Sequence, residues 1–340
     1  MARIYSTGIC PIETNRENNL EKEAGRKGER KMQSPSSERV FVFIDGSYFC
    51  FHRYYSLMTW WKHAHKTESA ADLHTHPVFV EKFQKTFRET FQSIPKKLGL
   101  PKHSQPTLVV GKDCKRRDIW RMEHYPAYKA SRVKEDTFEG GPLFQQAYQH
   151  GWFQGAAGIL QHPRLEADDC IALAVQRQLE ITPRVKIYII TSDKDYLQLV
   201  EPRVQVYDLS FKNLAAQKSS HGHAEMDLFC KIVMGDPSDN IPAIFPSCGP
   251  KTALKYYHDR AALDARLVKE PEAAEKFRLN TLLVDFRSIP AHFKAEFYAR
   301  LQPYHAIHGN IGCSDPSYNA QDEPNDSASS PISANPPNDC

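Results

Sequence analysis

Between Leu165 and Val200 the sequence LEADDCIALAVQRQLEITPRVKIYIITSDKDYLQLV carries acids at two places. Glu166, Asp168 and Asp169 open an apolar-periodic helix, and Asp193 and Asp195 follow the buried strand Ile187-Tyr188-Ile189-Ile190. A helix followed by a strand returns both groups to one edge of a sheet, the crevice at the carboxyl ends of parallel strands where open α/β sheets bind ligands. Carboxylates crowded there repel one another, and hard divalent cations with oxygen ligands supply the compensating charge. Capping is the competing account. Acids in a first helical turn complement the helix dipole by ~0.3–1 kcal/mol, and Ser192 or Asp193 can cap the segment holding Tyr196 and Leu199. The other strand ends decide between the two.

Val40-Phe41-Val42-Phe43-Ile44 reads as a central parallel strand that delivers Asp45 before the Gly46 turn. Thr107-Leu108-Val109-Val110 is a second strand, with Asp113 after it, and Val204 to Leu209 is a last one. Pro77 to Leu98 has apolar residues at helical spacing and predicts an amphipathic helix packed on the sheet. Ser47 to Trp61 is rich in aromatic residues whose main role is core packing. His63, His65, His74 and His76 alternate nearby, but without cysteines or acids in zinc spacing. KRRDIWRMEHYPAYKASR, residues 115–132, is basic and aromatic, as phosphate binding beside metal ions requires; in a helix, Lys129 and Arg132 would share one face. Residues 135–165 are Gly-rich and irregular, with a short helical pattern at Leu143 to Tyr148, and read as a mobile cover; Asn213 to Gly222 reads as an exposed loop. From Ala224 the pattern is helical. Asp236 and Asp239 sit in a turn at the end of the Met226 to Met234 helix, placed to face the acid cluster. Farther on, Gly249, Lys251 and Thr252 open a helix whose backbone amides suit phosphate oxygens.

The 340 residues are 41% hydrophobic and 11% aromatic, enough for a sizeable core. A net charge of +3 that includes an acid cluster leaves positive surface elsewhere and admits a polyanionic partner. Eight cysteines without a C-x-x-C pair point to a reducing, intracellular compartment, and neither a membrane span nor a secretory signal is present in the sequence. Residues 1–38, including GRKGERK, and residues 311–340 have the composition of disordered tails.

Six motifs, FIDGSY, YKASR, LEADD, TSDKDYLQL, GDPSDNIP and GPKTALKYY, stand in one order across residues 40–260. In that order the chain resembles the 5′ nuclease family: flap endonucleases, the 5′-nuclease domain of bacterial DNA polymerase I and phage relatives. FRLNTLLVDFRSIP, residues 277–290, is similar to a segment of the phage branch. The resemblance implies an α/β, PIN-like, mostly parallel sheet flanked by helices over 39–222, then a helical duplex-binding module of the helix-hairpin type over 223–310. It implies hydrolysis of DNA phosphodiesters near 5′ ends, as 5′-3′ exonuclease and flap endonuclease, in replication or repair. The implied metal-binding carboxylates are Asp45, Asp113, Glu166, Asp168, Asp169, Asp193, Asp195, Asp236 and Asp239, holding two Mg²⁺ ions, with Mn²⁺ as a substitute. Lys129 and Arg132 are the implied basic catalytic pair that contacts the scissile phosphate and neutralises charge building on it. Tyr128, Arg121, Gly249, Lys251 and Thr252 are the expected DNA contacts, and the hairpin at 241–256 is the expected K⁺ site.

The implied partner is DNA with a 5′ end, flap or nick, or an RNA–DNA hybrid, bound by a monomer that does not associate with membranes. Two departures from the family pattern stand out. Gly111-Lys112 precedes Asp113 where Phe or Ile is usual, and of the hairpin glycines only Gly249 is kept, after Ile244-Phe245-Pro246-Ser247-Cys248. Rival readings are a non-catalytic DNA-binding relative, an RNA-directed PIN-like nuclease and a haloacid-dehalogenase phosphatase. The last needs an Asp nucleophile two residues before a second Asp, and Phe43 occupies that place.

Overall fold

The structure, a computed structural model, describes residues 39–66, 72–132 and 138–308. Of the expected tails, 1–38 and 311–340 lie outside the described residues. β1 (Arg39–Asp45), β2 (Thr107–Gly111), β3 (Ala156–Leu160), β4 (Val185–Ile190) and β5 (Val204–Tyr207) form a five-stranded sheet in the order β3-β2-β1-β4-β5. Every strand pairing is parallel. The near-continuous apolar runs follow from burial on both faces, and the side-chain period of two sorts them. Phe41, Phe43, Val109, Ile187 and Ile189 enter one core, and Val40, Val42, Ile44, Leu108, Val110 and Ile190 enter the other.

Helices α1 (Gly46–Ala64), α2 (Pro77–Lys97) and α4 (Gly141–Gln149) follow α/β logic, with the four-residue α3 (Arg121–His124) between them. α1 and α2 cover the second core. The expected amphipathic helix is α2, and its Phe79, Phe83, Phe87, Phe91 and Ile94 are all fully buried. Each such side chain contributes about 1.5–3 kcal/mol of burial free energy. α5 (Ala167–Ile181) and the first part of α10 (Ala291–His308) cover the other face, with Phe293, Phe297 and Leu301 in the same core as β1 and β4. α6 (Ala224–Met234), α7 (Pro250–His258), α8 (Arg260–Lys269) and α9 (Pro271–Val284) have a core of their own built on Phe229, Val233, Phe245, Ala253 and Leu263. A further apolar contact joins Ile119 and Tyr128 to Leu228, Ile232, Leu283 and Val284.

Two expectations are corrected. In the segment read as irregular, the expected short helix at Leu143 to Tyr148 is present as α4, and the element the reading missed is the edge strand β3. Its AAGIL sequence has little intrinsic strand preference, and the pairing with β2 imposes the conformation. The segment read as an exposed loop holds a 3-10 turn at Leu214–Ala216 whose Leu214 is buried in the sheet core.

Candidate metal and nucleic-acid site

Parallel register brings the strand ends level. Asp45 is paired with Gly111 at the ends of β1 and β2, and Ile44 with Ile190 at the end of β4, so Asp45, Asp113 and Asp193 all leave the sheet at one edge. Asp45 accepts hydrogen bonds from Tyr48 N–H (3.0 Å) and Thr191 Oγ1–H (3.2 Å). Asp113 accepts from Ala167 N–H (2.8 Å) and from the Ser47 hydroxyl, and Asp193 accepts from Asp195 N–H (2.9 Å).

Two groups of acids flank this trio. Glu166, Asp168 and Asp169 at the start of α5 place one carboxylate oxygen each within 4.8 Å of one another, and so do Asp195, Asp236 and Asp239. Asp236 and Asp239 are brought there by a tight turn after α6. Gly235 adopts φ 70°, and Asp236 and Ile241 exchange both backbone hydrogen bonds at 2.8 Å.

Four basic side chains touch these acids. Lys129 Nζ pairs with Glu166 and lies 3.9 Å from Asp239, and Arg132 pairs with Asp239. Lys231, on α6, bridges Asp195 and Asp236, the latter at 2.8 Å. Arg121 is 1% exposed and forks onto Asp169 (2.7 Å twice) and Glu166 (3.0 Å).

The electrostatics follow from this count. Burial, then the neighbouring Asp113 and Asp193 charges, pushes the Asp45 carboxyl up to about 7. Burial and the charges of Asp169 and Glu166 push Asp168 well above the usual carboxylate range. Asp193 is raised by burial although Lys231 opposes it. At Asp236 burial also raises the carboxyl, but Lys231 outweighs it and the net value falls to about 2. Glu166 is held below its ordinary value: burial is overcome by Lys129 and Arg121. The charges of Glu166 and Asp239, against burial, keep Lys129 protonated. Acids outnumber the bases that touch them, and the excess sits on Asp45, Asp168 and Asp193. An oxygen-only donor set with surplus negative charge fits hard divalent cations.

Capping and site coexist. Asp45 caps α1, Asp193 caps the 3-10 segment Lys194–Leu199, Asp236 caps Pro237–Asp239, and Glu166 with Asp169 forms a capping box on α5. Each carboxylate keeps lone pairs beyond the one its cap uses.

Two expected DNA contacts are relocated. Arg121 and Tyr128 (3% exposed) are interior residues; the Tyr128 hydroxyl donates between Glu166 (3.0 Å) and Asp239 (3.2 Å), and neither side chain presents a face to solvent. A buried acid pair needs buried donors, and that demand took both residues. Lys129 and Arg132 do converge on the acids, but from turns and not from a helix. Lys129 has φ 57°, held by its N–H bond to Asp239 O (2.9 Å) and by Arg116, which donates to the carbonyls of Lys129 and Arg132. Lys251 is exposed, with Gly249 and Thr252 half-buried at the start of α7. In the hairpin, Ser247 takes φ 57°, a conformation usually left to glycine. Sequence reading missed Lys231, Thr191 and Ser47. A basic residue in the last turn of the helix that delivers Asp236 was the one available signal for Lys231.

Residues 40–227 match the family described as 5′-3′ exonuclease, N-terminal resolvase-like domain. The chain belongs to that family. Among curated relatives it is 30% identical over 246 residues to DNA polymerase I of Mycobacterium tuberculosis, covering 68% of this chain and 24% of that protein. It is 32% identical over 185 residues to flap endonuclease Xni of Aeromonas hydrophila, covering 52% of this chain and 67% of the relative. The match thus spans a quarter or less of the length of the polymerase relatives. Solved structures share the fold. The T5 D15 protein co-crystallised with metal ions aligns with TM-score 0.54 at 18% identity, over 78% of this chain and 99% of that one. The bacteriophage T5 D15 flap endonuclease, in a pseudo-enzyme–product complex with DNA and metal ions, aligns with TM-score 0.54 at 17% identity, over 79% and 100%. The parallel sheet with flanking helices is the PIN-like α/β arrangement.

Proposed function

We propose that this protein is a metal-dependent 5′-3′ exonuclease and 5′ flap endonuclease that hydrolyses DNA phosphodiesters near 5′ ends inside the cell, in replication or repair. The carrying observation is the meeting, at one sheet edge, of two carboxylate groups with Asp45, Asp113 and Asp193 between them and Lys129 and Arg132 on top. Residues 39–222 are the catalytic part in this reading, and 223–310 the part that grips duplex.

Glu166, Asp168 and Asp169 would hold one divalent ion with Asp45 and Asp113, and Asp193, Asp195, Asp236 and Asp239 a second, Mg²⁺ or Mn²⁺ in each. Such ions, when bound, supply the Lewis acidity that activates water and steadies a leaving oxygen. The chain's own residues do the rest. Lys129 and Arg132 swing from the acids to the scissile phosphate and neutralise charge building there. Lys231, which pairs with Asp195 and Asp236 in the ion-free site, would have to give up these carboxylates to an ion held there. The start of α7, with the Lys251 and Thr252 side chains, holds phosphates of the duplex without reading sequence. The hairpin at 241–256 is the place for K⁺ in this reading.

The test is cleavage of a 5′-labelled flap duplex with and without Mg²⁺, alongside Asp193→Asn and an RNA–DNA hybrid of the same shape. Cuts at the flap junction that need Mg²⁺ and vanish in the variant, with DNA binding retained, are expected. Cleavage that persists in the variant would remove the assignment.

A further inference from the structure

The end of α9 is tied to both acid groups at once. Arg121 uses its terminal nitrogens on Glu166 and Asp169 and its Nε on the carbonyl of Leu283 (2.7 Å). Gln198 donates through Nε2 to the carbonyls of Asp195 (2.9 Å) and Val284 (3.1 Å), and its Oε1 accepts from Phe286 N–H (2.9 Å). One turn earlier, the fully buried Asn280 donates to Ile232 O on α6 (2.8 Å) and Pro242 O in the hairpin turn (2.9 Å).

The physical reason for the meeting is elementary. The last carbonyls of a helix have no partner inside it and carry the negative end of its dipole. A buried guanidinium and an amide N–H group are suitable donors for them. The consequence is that residues 280–286 hold three things in one rigid frame: the element bearing Glu166 and Asp169, the element bearing Asp195, and the turn expected to grip duplex.

We propose that residues 280–286 are a strap that sets the separation of the two carboxylate groups, and that Arg121 and Gln198 are its positioning residues. This rests on the nuclease reading above. Neither side chain reaches substrate. Arg121 spans from the strap to the first group, and Gln198 from the strap to the backbone of the second. Because each of them serves a different group, loosening one should weaken ion binding at its own group and leave the other in place. A purely structural role would lower thermal stability without that selectivity.

The test uses the full chain as wild type, Gln198→Leu and Arg121→Lys. Gln198→Leu keeps the shape and removes all three hydrogen bonds; Arg121→Lys keeps the charge and removes the fork. Mn²⁺ alone is titrated into each protein without DNA, with free Mn²⁺ read by electron paramagnetic resonance. Melting temperature, kcat and KM on a flap duplex are measured alongside. Each variant should weaken one class of Mn²⁺ sites by ~10-fold or more and spare the other. kcat should fall by a similar factor at unchanged KM, under conditions where each variant is fully folded. Mn²⁺ binding and kcat within twofold of wild type in Gln198→Leu, whatever its melting temperature, overturns the strap, and this arm decides if Arg121→Lys does not fold. A wild type that neither binds Mn²⁺ nor cuts overturns the nuclease reading and the strap together, a failure recognisable because it appears before any substitution.

Discussion

Replacing Asp45 by Asn should stabilise the ion-free protein at alkaline pH while destroying its activity. The carboxyl of Asp45, raised to about 7 by burial and by Asp113 and Asp193, has a model-peptide value of 3.8. The folded state therefore binds its proton more tightly than the unfolded chain does. This contribution to stability is complete below pH 3.8, declines as pH rises, and is gone above about pH 7. A shift of about 3 units at 1.36 kcal/mol each sets an upper bound near 4 kcal/mol. Asp45 is only partly shielded from water, which screens the charge and lowers the realistic effect to about 2 kcal/mol. An Asn at this place carries no charge and can still accept from Tyr48 N–H. Urea denaturation in chelator at pH 5 and at pH 8.5 measures the difference. The variant should gain about 1 kcal/mol relative to wild type between the two conditions, because part of the contribution is already lost by pH 5, and excess Mg²⁺ should reverse the ranking at pH 8.5 by stabilising the wild type. Equal pH dependence in both proteins would refute the crowding of Asp45, Asp113 and Asp193.

Two further outcomes follow from the geometry. Gly235→Ala should cost about 2–3 kcal/mol in urea denaturation, because φ 70° disfavours a side chain and a Cβ would collide with the backbone of Ile241 and Pro242. Lys129→Met should lower kcat on a flap duplex by ~10²–10³, because the charge that neutralises the scissile phosphate is lost.

Much of this protein is legible in its sequence. Long apolar runs ending in Asp45 and in Asp193 announced parallel strands, because strands buried on both faces leave no room for alternation. LEADD and GDPSDNIP named the acids, and family resemblance named Lys129 and Arg132. The strand β3 was hidden, since AAGIL becomes a strand only by pairing with β2. What only the tertiary structure decided is which charges face one another. Arg121 and Tyr128 stand in a basic, aromatic segment that suits a nucleic-acid surface, yet both are spent inside the molecule on Glu166, Asp169 and Asp239. Lys231 and Gln198, unremarkable in sequence, hold Asp195 from two sides. Local pattern specifies elements, because propensity and periodicity act over a few residues. Partnership between charges depends on distances across the fold, and those are set by packing between segments more than a hundred residues apart, as Arg121 and Leu283 are.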